Sequence, residues 1–338
     1  MNFCNIKLLF YIELLTEMEK DSNTAGGDSI RNDFVKTDVS NNNNNNNNNN
    51  HEAAAEVLEK GDIFFFYRPK AKMVDDGSGG DVKSIEDIRR FFMVTASTTT
   101  TAAADNTRSK DQEQPNNTNR TTSKEEGESS RYRLFVIGKK SLPEVRTTEA
   151  RRSERYWAKV GGIFENPQEL TSELLADEFR KGDAARPVGE GKYAIVKHQD
   201  HAELAYVLEM PEEPGEAQRE LGIEKEASYI ISIINPKVPV PAGYPSSEEP
   251  PNYPESILKE FGQNENFVSL ARDLRFINFQ NAQMILVGAR EGKDVIQKEF
   301  GIDIKEEKET VHSADVFSKL KIEKDRVPIK ALIEGKFE

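Results

Sequence analysis

Eight short runs of β-branched and aromatic residues punctuate the chain between positions 63 and 288. They are Ile63–Arg68, Arg90–Thr95, Tyr132–Gly138, Tyr156–Phe164, Tyr193–His198, Leu204–Glu209, Tyr229–Ile234 and Met284–Gly288. Runs of this length and composition, set off by turn-forming residues, are expected to be strands. Some alternate: in Tyr132–Gly138 the residues Tyr132, Leu134 and Val136 fall on one face and Arg133, Phe135 and Ile137 on the other. Tyr193 and Ile195 likewise oppose Ala194, Val196 and His198. Ile63–Arg68 (IFFFYR) is apolar in both parities, as in a strand covered on both faces in the middle of a sheet. Tyr193–His198 and Leu204–Glu209 are close enough to form a hairpin, which favours antiparallel pairing.

Helical periodicity is confined to Pro167–Lys181, Gly215–Leu221, Glu255–Phe261, Lys293–Phe300 and Ser313–Leu320. In the first, Pro167 suits the opening turn and Gly182 the stop. The motif Q-x-E-[LF]-G-I occurs at Gln218–Ile223 and Gln297–Ile302, and each glycine is expected to cap a helix in the left-handed conformation. The fold expected is α+β. It is a single domain over 56–338 with a mainly antiparallel sheet of seven to nine strands, barrel- or sandwich-like, and several short helices outside it.

Other stretches cannot contribute to such a core. Residues 19–55 include ten consecutive asparagines, Asn41–Asn50, and residues 97–130 are dominated by Thr, Ser, Asn and charge. Neither carries enough apolar surface to offset the entropy of ordering, so both are expected to be disordered. The second reads as an insertion in a loop, tolerated because closure entropy grows only logarithmically with length. Residues 236–254 form a proline-rich loop expected to hug the surface. Residues 1–18 hold a short apolar segment, interrupted by Lys7 and Glu13, too short for a bilayer span and without signal-peptide features. Met18 is a plausible alternative start.

Forty-six basic residues face 59 acidic ones, a net charge of −13. Phosphate backbones repel such a chain unless a local patch opposes the global field, so nucleic acid is disfavoured as a partner. Cys4 is the single cysteine and there are four histidines, which leaves no cysteine-based zinc site or redox pair and points to no metal and no cofactor. A cytoplasmic or nuclear protein without a membrane span is expected.

The turn Lys197–Glu203 gathers His198, Asp200, His201 and Glu203. His-x-x-His beside carboxylates suits a divalent metal, but a turn fixes two imidazoles poorly and no third ligand is close in sequence. His198 and His201, with Arg186 and Arg290 as anion-binding companions, are the candidate ligand-binding residues. Arg186 precedes Gly189 and Gly191, a G-x-G placed ahead of a strand rather than a helix and therefore no phosphate loop. Arg151, Arg152, Arg155 and Lys159 form a basic run around Tyr156 and Trp157 and are the nucleic-acid candidates, with Trp157 expected to be buried in its strand. No catalytic motif is evident, and catalytic residues remain unassigned. Three functions are compatible: a non-enzymatic binding or regulatory module with a protein or small-molecule partner, a small-molecule enzyme built on His198 and His201, or a nucleic-acid-associated protein.

From Gly61 onward, KGDIFFFYRPK, YRLFVIGKKSLPEV, INPKVPVP, NYPESILKEF and MILVGAR resemble a conserved family without an assigned activity. Some fungal members are labelled BTB-domain transcription factors. The resemblance implies no ligand, cofactor or catalytic residue. A BTB fold is mostly helical, which the strand-rich pattern here does not support.

Overall fold

The computed structural model describes residues 56–70, 81–98, 131–145, 154–176, 184–198, 201–240, 244–245, 249–291, 314–323 and 326–337. All belong to the larger of two compact units, Glu52–Glu338. The expectations for 1–18 and 19–55, the helix Lys293–Phe300 and the cap at Gly301 lie outside these residues.

Among the described residues nine strands occur, in the order β1 (Glu56–Pro69), β2 (Ile88–Ser97), β3 (Arg131–Ile137), β4 (Arg155–Phe164), β5 (Arg186–His198), β6 (His201–Met210), β7 (Glu226–Ile234), β8 (Phe267–Ser269) and β9 (Gln283–Glu291). Each of the eight sequence runs is represented by one long strand; β8 is the addition. Every pairing is antiparallel. The order β6-β5-β1-β2-β3-β4-β9-β7 closes on itself because β6 also pairs with β7, through Glu203–Val207 and Glu226–Ile230. The result is a closed eight-stranded antiparallel barrel rather than a sandwich. β8 lies outside the ring, on the half of β7 that β6 leaves open, at Ser232–Ile234.

Alternation sorts the side chains into two apolar clusters. Ile63, Phe65 and Tyr67 point inward with Phe91, Met93, Phe135, Val160, Ile195, Tyr206, Tyr229 and Leu286. Phe64 and Phe66 point outward with Phe92, Val94 and Leu134. That outer patch is covered by α1 (Pro167–Leu175), through Leu170 and Leu174, and by the C-terminal segment with α4 (Asp315–Lys319) and α5 (Lys330–Glu334), through Val316, Leu320 and Leu332. IFFFYR is thus apolar in both parities because β1 is a wall with a core on each side.

Helix boundaries have local causes. The Asn166 side chain caps α1 by accepting from Gln168 N at 2.8 Å, and Pro167 occupies the first turn. The helix ends at Leu175, short of the expected Lys181, and Gly182 lies outside the described residues. The buried Arg68 guanidinium donates to the carbonyls of Glu173 (3.0 Å) and Leu174 (2.9 Å), satisfying groups that a helix end leaves open. After α2 (Glu216–Glu220), Ile223 N donates to Gln218 O and Gly222 N to Arg219 O, with Gly222 at φ +67°. This is the two-bond glycine cap read from the sequence.

Several boundaries shift. Gly189 and Gly191 lie inside β5, at bulges against β1 and β6, rather than ahead of the strand. At Gly191 a side chain would collide with the Val207 carbonyl, so the close approach of β6 requires glycine. Ser97, assigned to the insertion, is instead the last residue of β2 and pairs with Gly61 and Arg131. The proline-rich loop is anchored rather than merely draped. Tyr253 is buried before α3 (Glu255–Leu258), donates to the Phe276 carbonyl at 3.1 Å and packs edge-on against Phe279. Among the described residues, no helix is long and apolar enough to cross a membrane.

Candidate functional site

Inside the barrel a charged pair interrupts the apolar lining. Arg133 and Glu59, each 1% exposed, form a two-point contact at 2.7 and 2.9 Å. The Tyr193 hydroxyl donates to the same carboxylate at 2.6 Å, and Arg133 Nε donates to Asn278 Oδ1 at 2.8 Å. Burial, reinforced by the Glu59 charge, pushes the Tyr193 phenol well above its ordinary value. Burial opposes the charged form of Arg133, but Glu59 more than offsets this, and the guanidinium's pKa is raised. The network is neutral as a whole and its charges answer one another. Sequence reasoning missed it. The signal was Arg133 sharing a strand face with Phe135 and Ile137, which demands a buried partner. That partner lies 74 residues away, and no local pattern points to it.

A second polar cluster pins α4 to the outer wall. Lys192 Nζ reaches Asp62 (2.8 Å), Asp315 (3.1 Å) and Glu209 (3.4 Å), while Lys319 reaches Asp62 and Asp315. The Glu190 carboxylate accepts the backbone N–H groups of Asp315 and Val316, both at 2.8 Å. Burial works against the Lys192 ammonium, but the surrounding carboxylates, Asp62 first, hold its pKa above the usual lysine value. Burial also works against the Asp315 carboxylate, but Lys319 and Lys192 hold its pKa below the usual value.

His198 and His201 face each other across the β5–β6 hairpin, their rings 5.6 Å apart and tilted by 27°. Asp200 lies outside the described residues. His201 Nε2 sits 3.1 Å from Glu203 Oε1, and the Ser228 hydroxyl donates to Glu203 Oε2 at 2.8 Å. These groups are on the outward parity of β5, β6 and β7. Arg290 is opposite Ser228 in β9. Arg186 opens β5 opposite Tyr67, twelve residues before His198, or roughly 40 Å along an extended strand. The four candidate residues therefore do not converge. Among the described residues, no group of three or more His, Cys, Asp or Glu side chains is placed to hold a metal ion.

Of the basic run, Arg155 and Lys159 are in β4, and Arg151 and Arg152 lie outside the described residues. Arg155, Trp157 and Lys159 occupy alternate positions opposite Val287, Ile285 and Gln283, on the outer face. Arg155 is exposed, and Trp157 and Lys159 are half-buried; Trp157 is not in the core as its composition suggested. Its indole crosses β3's exit at Gly138, where a Cβ would lie 3.2 Å from Cζ3 and closer still to Cε3. Tyr156 points the other way, with Lys139 Nζ 4.2 Å above its ring. Burial, then the hydrogen bond to Glu154, pushes the Tyr156 phenol up to about 12.

No family model matches the chain, and neither a curated protein nor a solved structure does.

Proposed function

We propose that this chain is a non-enzymatic binding or regulatory module, one α+β domain that engages its partner with the outside of the barrel. The supporting observation is the state of the interior. An eight-stranded barrel is just wide enough for its own side chains or one small ligand. Here Phe65 packs against Phe91 (6.2 Å between centroids) and Tyr206 (5.2 Å), and Tyr206 stacks on Tyr229 (6.3 Å). The Glu59 and Arg133 charges inside already satisfy each other. Rings and a closed ion pair occupy the positions that a ligand-carrying barrel keeps for its cargo. Recognition then falls to outward-facing side chains, in the cytoplasm or nucleus.

Native mass spectrometry of the purified full chain tests this. The expected spectrum shows the bare 38.2 kDa chain. A stoichiometric small-molecule adduct that is lost on denaturation, and whose removal lowers the melting temperature, would overturn it.

A further inference from the structure

The ring seals its own strands, and β8 stands outside it with a strand neighbour on one side, β7. Bonds along an antiparallel pair alternate, so successive residues turn their N–H and C=O groups to opposite sides. Asn235 N donates to Asn266 O at 3.0 Å and Leu270 N to Ile231 O at 3.2 Å, which puts the groups of Asn266, Val268 and Leu270 on the β7 side. Phe267 and Ser269 therefore turn theirs away from it. Among the described residues, the two N–H groups and the Phe267 C=O have no backbone partner on that far side, while the Ser269 C=O accepts from Arg272 N at 3.1 Å. Three residues cannot hold a strand by themselves, and both flanks are tied down. The buried Asn235 amide donates to the carbonyls of Gly262 (2.8 Å) and Glu265 (2.7 Å), and Lys237 Nζ donates to Phe261 O at 3.0 Å. Arg272 donates to Glu260 O at 2.9 Å, and the Ser269 hydroxyl accepts from Ala271 N at 3.1 Å. The edge is pre-organised, so a chain that pairs with it needs to order only itself.

We infer that β8 is a docking edge for an extended, basic segment of a partner protein, which adds to it as an antiparallel strand; the inference names a surface and a partner chemistry for the outer-surface function proposed above and rests on that reading. In such an addition main-chain bonds supply the affinity and alternate side chains the selectivity. Val268 belongs to the inner cluster, so Phe267 faces outward, where its ring meets that of Tyr244 at 5.8 Å and 73°. Residues directly opposite one another share a face, so the partner residue opposite Phe267 meets these two half-buried rings and is best apolar. Two residues further on, the partner passes Glu265, whose contact with Arg272 at 3.0 Å joins two exposed side chains and is worth little. A basic residue belongs there. The net charge of −13 draws a cationic segment to this surface and sets two copies of the chain against each other. The shortness of β8 also limits pairing between identical chains, since very short edges template sheets poorly. The pattern that fits is apolar, any residue, basic.

The probe is a labelled peptide of sequence TKTVTKT, blocked at both ends and titrated with the full chain by fluorescence anisotropy. Saturable binding is expected. Methylating the valine nitrogen removes the donor that meets the Phe267 carbonyl and should weaken binding about fivefold or more, the equivalent of one hydrogen bond. Methylating the threonine nitrogen next to it, which points away from β8, should leave binding unchanged. On the protein, Phe267→Pro and Ser269→Pro each delete a far-side N–H and keep every bond to β7, as proline is tolerated on an edge, and should weaken binding to the same degree. Val268→Pro deletes a bond to β7 and should lower the melting temperature more than either. No binding at about millimolar concentration, equal binding of the valine-methylated peptide, or equal binding of TETVTET would each overturn the inference. So would a concentration-dependent dimer that Phe267→Pro abolishes, which assigns the edge to a second copy. Failure of the peptide with an empty barrel in the native mass spectrum rejects this edge alone; an internal adduct rejects the outer-surface function itself.

Discussion

Arg133→Met is the sharpest probe of how the barrel is held. The substitution keeps most of the side-chain volume and removes the charge, leaving the Glu59 carboxylate, 1% exposed, with only the Tyr193 hydroxyl for company. Breaking one partner of a buried pair costs about 3–5 kcal/mol, because the remaining charge can be neither solvated nor matched. For a domain of this size, each kcal/mol shifts the melting temperature by about 2–4 °C, so a fall of about 6–20 °C is expected. Glu59→Leu should cost a similar amount, since it leaves the buried guanidinium with the neutral groups of Asn278 and Tyr193 and no countercharge. The double variant removes both charges and leaves chiefly the Tyr193 hydroxyl without its acceptor, a loss of about 1–3 kcal/mol. It should therefore be more stable than either single variant, with a coupling of about 3 kcal/mol or more in urea denaturation. A loss below about 1 kcal/mol for Arg133→Met, or additive losses in the double variant, would refute the reasoning and place the pair in contact with water.

Further outcomes follow from the outer wall and the loops. Asp315 is held below its ordinary 3.8, so its contribution to docking α4 is present above about pH 4 and vanishes as pH falls through its folded value. Lys192 is held above its ordinary 10.5, so its contribution persists below that pH and is lost above it. Hydrogen exchange at Asp315–Lys319 should accordingly be slow between these limits and accelerate at both extremes; a flat profile would refute the electrostatic pinning. Gly222→Ala forces a side chain into a φ of +67° and against the Leu142 carbonyl, and should cost at least about 1–2 kcal/mol in thermal denaturation. Replacing residues 99–130 with a four-residue Gly/Ser linker should stabilise the barrel by up to about 2 kcal/mol through cheaper loop closure. A destabilised variant would show that this segment makes contacts of its own.

The strands were legible because their signal is local. In Tyr132–Ile137 alternation assigned Arg133 to the correct face, and in Ile63–Arg68 the apolar run correctly announced two covered faces. Ring closure was not legible. Nothing in Arg155–Lys159 names Gln283–Val287 as its partner across more than a hundred residues, and β6 meeting β7 as well as β5 follows from the twist of the whole sheet. The three-residue β8 and five-residue α5 are too short to carry a period. The candidate residues fared by the same rule. His198 and His201 adjoin because a hairpin is a local structure, whereas Arg186 and His198 share a strand and so stand at its opposite ends. Trp157 was misplaced because composition tells that an indole is half apolar, not that a glycine on the next strand will let it lie flat outside.

Ring closure also bears on what happens when this protein fails. Ile63–Tyr67 is five consecutive apolar residues rich in aromatic rings, the kind of segment that stacks into fibrils once released. In the native state its backbone is bonded to β2 on one side and β5 on the other, with Asp62 and Arg68 as charged sentries at its ends. Among the described residues, the closed ring offers passing chains no long free edge from which to recruit it. The hazard is therefore gated by global opening, and heat or mutation should convert this protein from dissolved to precipitated over one narrow interval, with little warning beforehand.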